Sequence, residues 1–233
     1  MEILPDRPEL QAFPYLALVT RTDPTSGNVT DTCAGALVEN GWRVLTARQC
    51  TQFNGTDTPL EQLKVYIGGV WHDVAKVVAE SGPANASNWA NPPVPSNNLA
   101  VLMLMSESGA SPAKLPFDYT SGSPATPAPA ENDQVWAVAL GVTETFDAKY
   151  TTYYGMEVRP AGTCAAKFTD TFCASGTGGL VAQAATGGPI VSVASDAQTP
   201  DVLVGVVGWS QEINAAYFMR VTDKQAFLEQ AMP

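Results

Sequence analysis

At 233 residues, 45% of them hydrophobic, the chain is long enough to bury a sizeable core, which excludes wholesale disorder. Its net charge of −11, with Lys and Arg scattered singly, makes nucleic-acid backbones and anionic membranes poor partners. No run approaches the roughly 18 consecutive apolar residues of a membrane-spanning helix, and the opening residues carry no signal-peptide pattern, which decides nothing about export.

Short β-type runs dominate the first half: "FPYLALVT", "AGALVE", "WRVLTA", "QLKVYIGG", "WHDVAKVVAE" and "LAVLMLM". Turn chemistry separates them, as in "DPTSGN", "ENG" and "SGPANASN". The stretch Pro116 to Asp133, rich in Pro, Ser and Ala, reads as a linker. Beyond it come "QVWAVALGV", "YYGMEVRP", "LVAQAATGGPIVSVAS", "DVLVGVVGWS" and "AAYFMRV". The tail places Phe227, Leu228 and Ala231 at helical spacing, with Thr222 or Asp223 as the N-cap. The expectation is an all-β protein of two barrel-like halves, 3–115 and 134–221, joined by the linker 116–133 and closed by a helix over 222–233.

The four cysteines fall as two close pairs, Cys33/Cys50 and Cys164/Cys173. Neither has the spacing of a metal site and the single histidine is His72, so no metal is expected and two local disulfides are. Disulfides imply an oxidising compartment. Asn28, Asn54 and Asn85 each begin an Asn-X-Ser/Thr acceptor, which agrees with secretion. His72 lies at a strand edge and reads as a satisfied core histidine or a surface one.

Three segments far apart in the chain then align with one family. "CAGALVENGWRVLTARQC" resembles the part of the trypsin-like serine proteases that runs from Cys-Gly-Gly to Ala-Ala-His-Cys. "SNNLAVLML" resembles the segment carrying the family aspartate, and "FCASGTGGLVAQAATGGPIV" the stretch ending in Gly-Asp-Ser-Gly-Gly-Pro. "VGVVGWS", "AAYFMRV" and the closing helix follow in the family's order, so the resemblance runs from about Ile3 to the C-terminus. It implies one trypsin-like domain over 1–233, built of two six-stranded antiparallel β-barrels in the chymotrypsin manner with a C-terminal helix.

The same resemblance puts the wrong chemistry at the triad. A serine triad needs an alcohol nucleophile, an imidazole to take its proton, and a carboxylate to stabilise the imidazolium. The matching positions hold Thr186, Gln49 and Asn98. Ala185 stands where the family aspartate pairs with a new N-terminus, and Ile3-Leu4-Pro5-Asp6 replaces the Ile-Val-Gly-Gly that would tuck inward. Ala184 replaces the oxyanion-hole glycine, Leu180 sits at the pocket base, and Trp209 and Ser210 line the former pocket wall. Ala182 occupies one end of the pocket disulfide, and no cysteine follows Trp209.

These substitutions imply a pseudoprotease: no enzyme, no cofactor, and action by binding. Ala185-Thr186-Gly187-Gly188-Pro189, Asn98-Leu99-Ala100-Val101-Leu102 and Gln62-Leu63-Lys64-Val65 are similar to the secreted glucanase inhibitor proteins of oomycete plant pathogens. That subgroup implies a monomer in the host apoplast that binds and blocks a plant endoglucanase or other glycoside hydrolase. The competing readings are a general secreted binder or decoy on the same scaffold, and a hydrolase using Thr186 or a metal. The second lacks a candidate base.

Overall fold

A computed structural model describes residues 13–53, 55–81, 97–117, 127–142, 148–160, 171–176, 186–193, 201–212 and 215–232. The chain opens with β1 (Leu16–Thr22), β2 (Val29–Val38) and β3 (Arg43–Ala47), then a short ribbon of β4 (Gln52–Phe53) and β5 (Thr56–Asp57). β6 (Leu63–Ile67), β7 (Val70–Ala79) and β8 (Leu99–Leu104) complete the first half. These strands close into an antiparallel barrel of order β1-β2-β3-β8-β7-β6.

The second half contributes β9 (Gln134–Val142), β10 (Ala148–Arg159), β11 (Thr171–Ser175), β12 (Pro189–Ser192), β13 (Val202–Glu212) and β14 (Ala215–Arg220). They close into a second barrel of order β10-β11-β14-β13-β12-β9. The expected fold, two six-stranded antiparallel barrels with a terminal helix, is the one observed. Two features were not anticipated: β11, which has only five residues, and the β4–β5 ribbon, whose two strands have two residues each. The two-residue strands are too short to display a period, and β11 reads TFCAS, buried over its first four residues with no alternation.

Burial follows from which faces each strand must cover. β6 alternates, with Leu63, Val65 and Ile67 inside and Lys64 and Tyr66 outward, as a strand with one core face should. In β2 the first residues are exposed and all of Cys33–Val38 are buried. That second portion faces the barrel interior on one side and the other barrel on its opposite side, and its residues are correspondingly small. A Cβ on Gly35 would lie 2.7 Å from Val44 Cγ1, so only glycine fits.

β13 shows the same two-sided demand. Val204 and Val207 join the interior of the second barrel, while Leu203 and Val206 join the core that runs from the first barrel across the seam. A strand buried on both faces reads as an unbroken apolar run, which is why "VLVGVV" shows no alternation.

The expected linker 116–133 begins inside the core, with Pro116 and Phe117 buried, just after residues 113 and 114 bridge Val38 of β2 and Val202 of β13. Tyr15 adds a long-range tie, its hydroxyl donating to Asp201 Oδ2 at 2.9 Å.

At the C-terminus, Val221–Lys224 forms a 3-10 turn and α1 spans Gln225–Ala231, shorter than the expected 222–233. Neither Thr222 nor Asp223 caps it: α1 starts after Lys224 without a side-chain cap. The Asp223 carboxylate is engaged by Arg220 instead, at 3.2 Å. Leu228, Ala231 and Met232 bury themselves in the seam core, so packing rather than capping holds this helix.

Candidate functional site: an amide-locked seam

The site begins where β3 ends. Ala47 pairs with Leu99 of β8, and the chain turns at once into a 3-10 turn over Arg48–Thr51. Cys50 in that turn is disulfide-bonded to Cys33 on β2, 17 residues back in sequence. Closing a loop of that size contributes about 3 kcal/mol by restricting the unfolded chain. The turn is pinned on its other side by Arg48, whose backbone N–H donates to Asn98 O at 2.8 Å.

These constraints bring Gln49 and Asn98 together, residues 49 apart in sequence. The Gln49 N–H donates to Asn98 Oδ1 at 3.2 Å, and Asn98 Nδ2 donates to Gln49 Oε1 at 3.3 Å. Gln49 Nε2 then crosses the seam and donates to Gly208 O of β13 at 3.1 Å. Each amide oxygen accepts and each amide NH2 donates, so turning either amide over would set like against like. Asn98 is buried at 4% exposure, which makes its pairing with Gln49 an energetic requirement.

Thr186 lies on the same seam. Its carbonyl accepts from Ala34 N–H of β2 at 2.8 Å, and Cys50 Sγ rests 3.7 Å away. A disulfide sulfur carries no hydrogen, so the latter is a van der Waals contact. The next residue, Gly187, has φ of +81° and donates its N–H to Val207 O at 2.8 Å. A Cβ there would sit 2.2 Å from Thr46 Oγ1 and 2.4 Å from Ala34 O, so the turn admits only glycine.

The three matched positions therefore meet at one place, between the end of β3, the start of β8 and the turn before β12. All three side chains are uncharged. The chain's single histidine is elsewhere: His72 is buried in β7, with Nδ1 3.1 Å from Ser106 Oγ beyond the far end of β8. At about 3.3 Å per strand residue that end is roughly 20 Å from Asn98. The other ring nitrogen, Nε2, has no hydrogen-bond partner among the described residues, so this buried histidine is only half satisfied. Among the described residues no three His, Cys, Asp or Glu side chains form a metal-holding group.

Beside Asn98 stands a charged element that the sequence did not single out. Glu80 exchanges backbone contact with Leu99, donating its N–H to Leu99 O at 3.0 Å. Its carboxylate accepts the Leu99 N–H at 2.9 Å and meets Lys224 Nζ at 2.9 Å. Both side chains are more than nine-tenths buried. The pair fastens the C-terminal turn to the strand that presents Asn98. Nothing in "VVAES" or "VTDK" signals it, because a buried pair so distant in sequence leaves no local pattern.

Of the remaining expected positions, Leu180, Ala184, Ala185 and Cys164 lie outside the described residues, as do Asn54 and Asn85. Trp209 and Ser210 fall on β13, where they pair with Tyr217 and Ala216 of β14; their side chains lie outside the described set. Cys173, on β11, is disulfide-bonded. Asn28 is exposed at the foot of β2.

No curated protein matches the chain. The family model described as Trypsin matches residues 6–227, taking in both barrels, the amide-locked seam and the first turn of the closing helix. By its sequence match and its paired barrels, this chain belongs to the trypsin family.

Proposed function

We propose that this family member has no peptidase activity and acts by binding another protein. The observation that carries the reading is the Gln49 side chain. A primary amide has no basicity near neutral pH, and here its oxygen is already taken by Asn98 and its nitrogen by Gly208 O. The position where the family's imidazole accepts the nucleophile's proton is thus filled by a group that cross-links the barrels. Asn98 offers no negative charge to stabilise a cation there. With its only histidine held at Ser106, the chain has no second imidazole to recruit.

Retention of the frame supports selection for shape. Cys33–Cys50, Gly187 and the seam core all persist, while the groups that carry chemistry differ. A rigid groove edged by loops is a natural binding surface. The short segments shared with glucanase inhibitor proteins point to a secreted glycoside hydrolase, specifically an endoglucanase, as the partner, blocked by occlusion without a covalent step. The disulfide-bonded cysteines support an extracellular setting.

Two assays on the purified chain test this. A chromogenic peptide ester should give no turnover above buffer. Titration into a purified plant endoglucanase should reduce cellulose-derivative hydrolysis to a plateau at a fixed stoichiometry. Absence of inhibition across a panel of secreted glycoside hydrolases would leave a general binder as the reading. Peptide-ester turnover lost in Thr186→Ala would overturn inactivity itself.

A further inference from the structure

We infer that Asn28 is an N-glycosylation site and that the corner of the first barrel around it is a glycan-bearing face. Asn28-Val29-Thr30 is an acceptor sequence, and the fold places it at the tip of the β1–β2 hairpin. The turn before it is built entirely without the Asn28 side chain. Asp23 Oδ1 accepts from the Thr25 and Ser26 N–H groups, each at 2.8 Å, and Asp23 N–H donates to Asn28 O at 2.8 Å. The Asn28 N–H donates to Ser26 Oγ at 3.3 Å, which leaves only its exposed carboxamide uncommitted among the described residues. A sugar on Nδ2 breaks no contact of the fold.

A second observation joins this corner independently. Arg21 of β1 donates Nε to Thr30 Oγ1 at 3.4 Å, and its guanidinium lies 4.3 Å over the Phe53 ring. Phe53 is 55% exposed, among the most exposed large apolar side chains described. It pairs with Thr56, and those two residues flank a second acceptor sequence whose Asn54 lies outside the described residues. Arg21 thus links Thr30 of the Asn28 acceptor sequence to Phe53 of the β4–β5 ribbon.

The geometry also sets how far this face lies from the seam. Asn28 precedes Ala34, which contacts Thr186, by six residues of extended β2, roughly 20 Å at strand rise. A glycan at the hairpin tip is thus anchored roughly 20 Å from the seam.

The chemistry is a displacement with a lipid-linked oligosaccharide as co-reactant. Asn28 Nδ2 forms a bond to the anomeric carbon, and the bond from that carbon to the pyrophosphate oxygen breaks. The electron pair leaves with the lipid pyrophosphate, and one amide proton passes to a base on the transferase. The inference rests on the extracellular reading, so the test supplies entry to the secretory pathway by design.

The full chain, fused to a cleavable signal in a eukaryotic host, is recovered from both the lumenal and the secreted pools. Glycosidase treatment that releases N-glycans and converts the linked Asn to Asp is followed by peptide mass mapping. Asn28 should be found converted in most molecules. Asn28→Gln should remove one step of the mobility ladder, Thr30→Ala should do the same, and Thr30→Ser should restore it. An unconverted Asn28 in both pools, from a protein whose Cys33–Cys50 bond has formed, overturns the inference. If the chain's own source retains it inside the cell, the extracellular reading fails, while the Asn28 result stands separately.

Discussion

Gln49, in the 3-10 turn after β3, donates its side-chain amide to the carbonyl of Gly208 in β13, 3.1 Å away in the other barrel. On the proposed reading, this side chain stands where the family's imidazole would exchange protons with a nucleophile. Here it is a strut whose two ends are fixed, one on Asn98 and one on Gly208.

A strut and a base fail differently when removed. Gln49→Ala deletes the bond across the seam and strands the buried Asn98 amide, at a cost of about 1–3 kcal/mol. The expected result is a lower urea midpoint with an unchanged slope, and peptide-ester turnover at background before and after the substitution. A loss of measurable turnover on removing Gln49 would show that the residue takes part in chemistry.

The Glu80–Lys224 pair makes a second, sharper prediction. Removing one member leaves the other charge buried, so Lys224→Met should destabilise the fold by about 3–5 kcal/mol. The double variant Glu80→Gln/Lys224→Met keeps an acceptor for the Leu99 N–H at 2.9 Å and removes both charges, so it should recover most of that loss. Thermal unfolding of the two variants side by side checks this. Equal destabilisation by single and double variants would mean that the contact contributes through packing alone.

Much of the fold was legible because strands buried on one or both faces write their burial into the sequence. β6 alternates, β8 and β13 run apolar, and Gly187 marks a turn no other residue could take. The sequence also singles out Gln49, Asn98 and Thr186 by resemblance, but not the amide bonds that join the first two. That Gln49 reaches Gly208, and that Glu80 finds Lys224, depends on where two barrels and a terminal turn come to rest, and no local window contains both partners. The helix start was misplaced for a related reason. Thr222 and Asp223 have capping chemistry, but Asp223 is drawn to Arg220 and the turn there is 3-10.

Acid should loosen the turn before Asn28 in a defined direction. Backbone hydrogen bonds from Ser26 and Thr25 hold the Asp23 carboxyl below its ordinary value of 3.8. A depressed folded-state pKa means that the contribution is fully present above the unfolded value and fades as pH falls through the lower folded one. The Thr25 and Ser26 amides should therefore keep their protection from exchange at pH 5 and lose it only in the region below about 3.8, and Asp23→Ala should lack that protection at every pH. An NMR titration of these two amides reads both. Full protection retained in Asp23→Ala would assign the turn's order to Gly27 and the strands instead.

The most direct test of the central claim is reaction of the folded chain with a fluorophosphonate, which needs an alcohol activated by a neighbouring base. The account predicts no covalent adduct by intact mass, even after prolonged exposure, in a sample whose Cys33–Cys50 bond is intact. A stoichiometric adduct that maps to Thr186 and disappears in Thr186→Ala would contradict it.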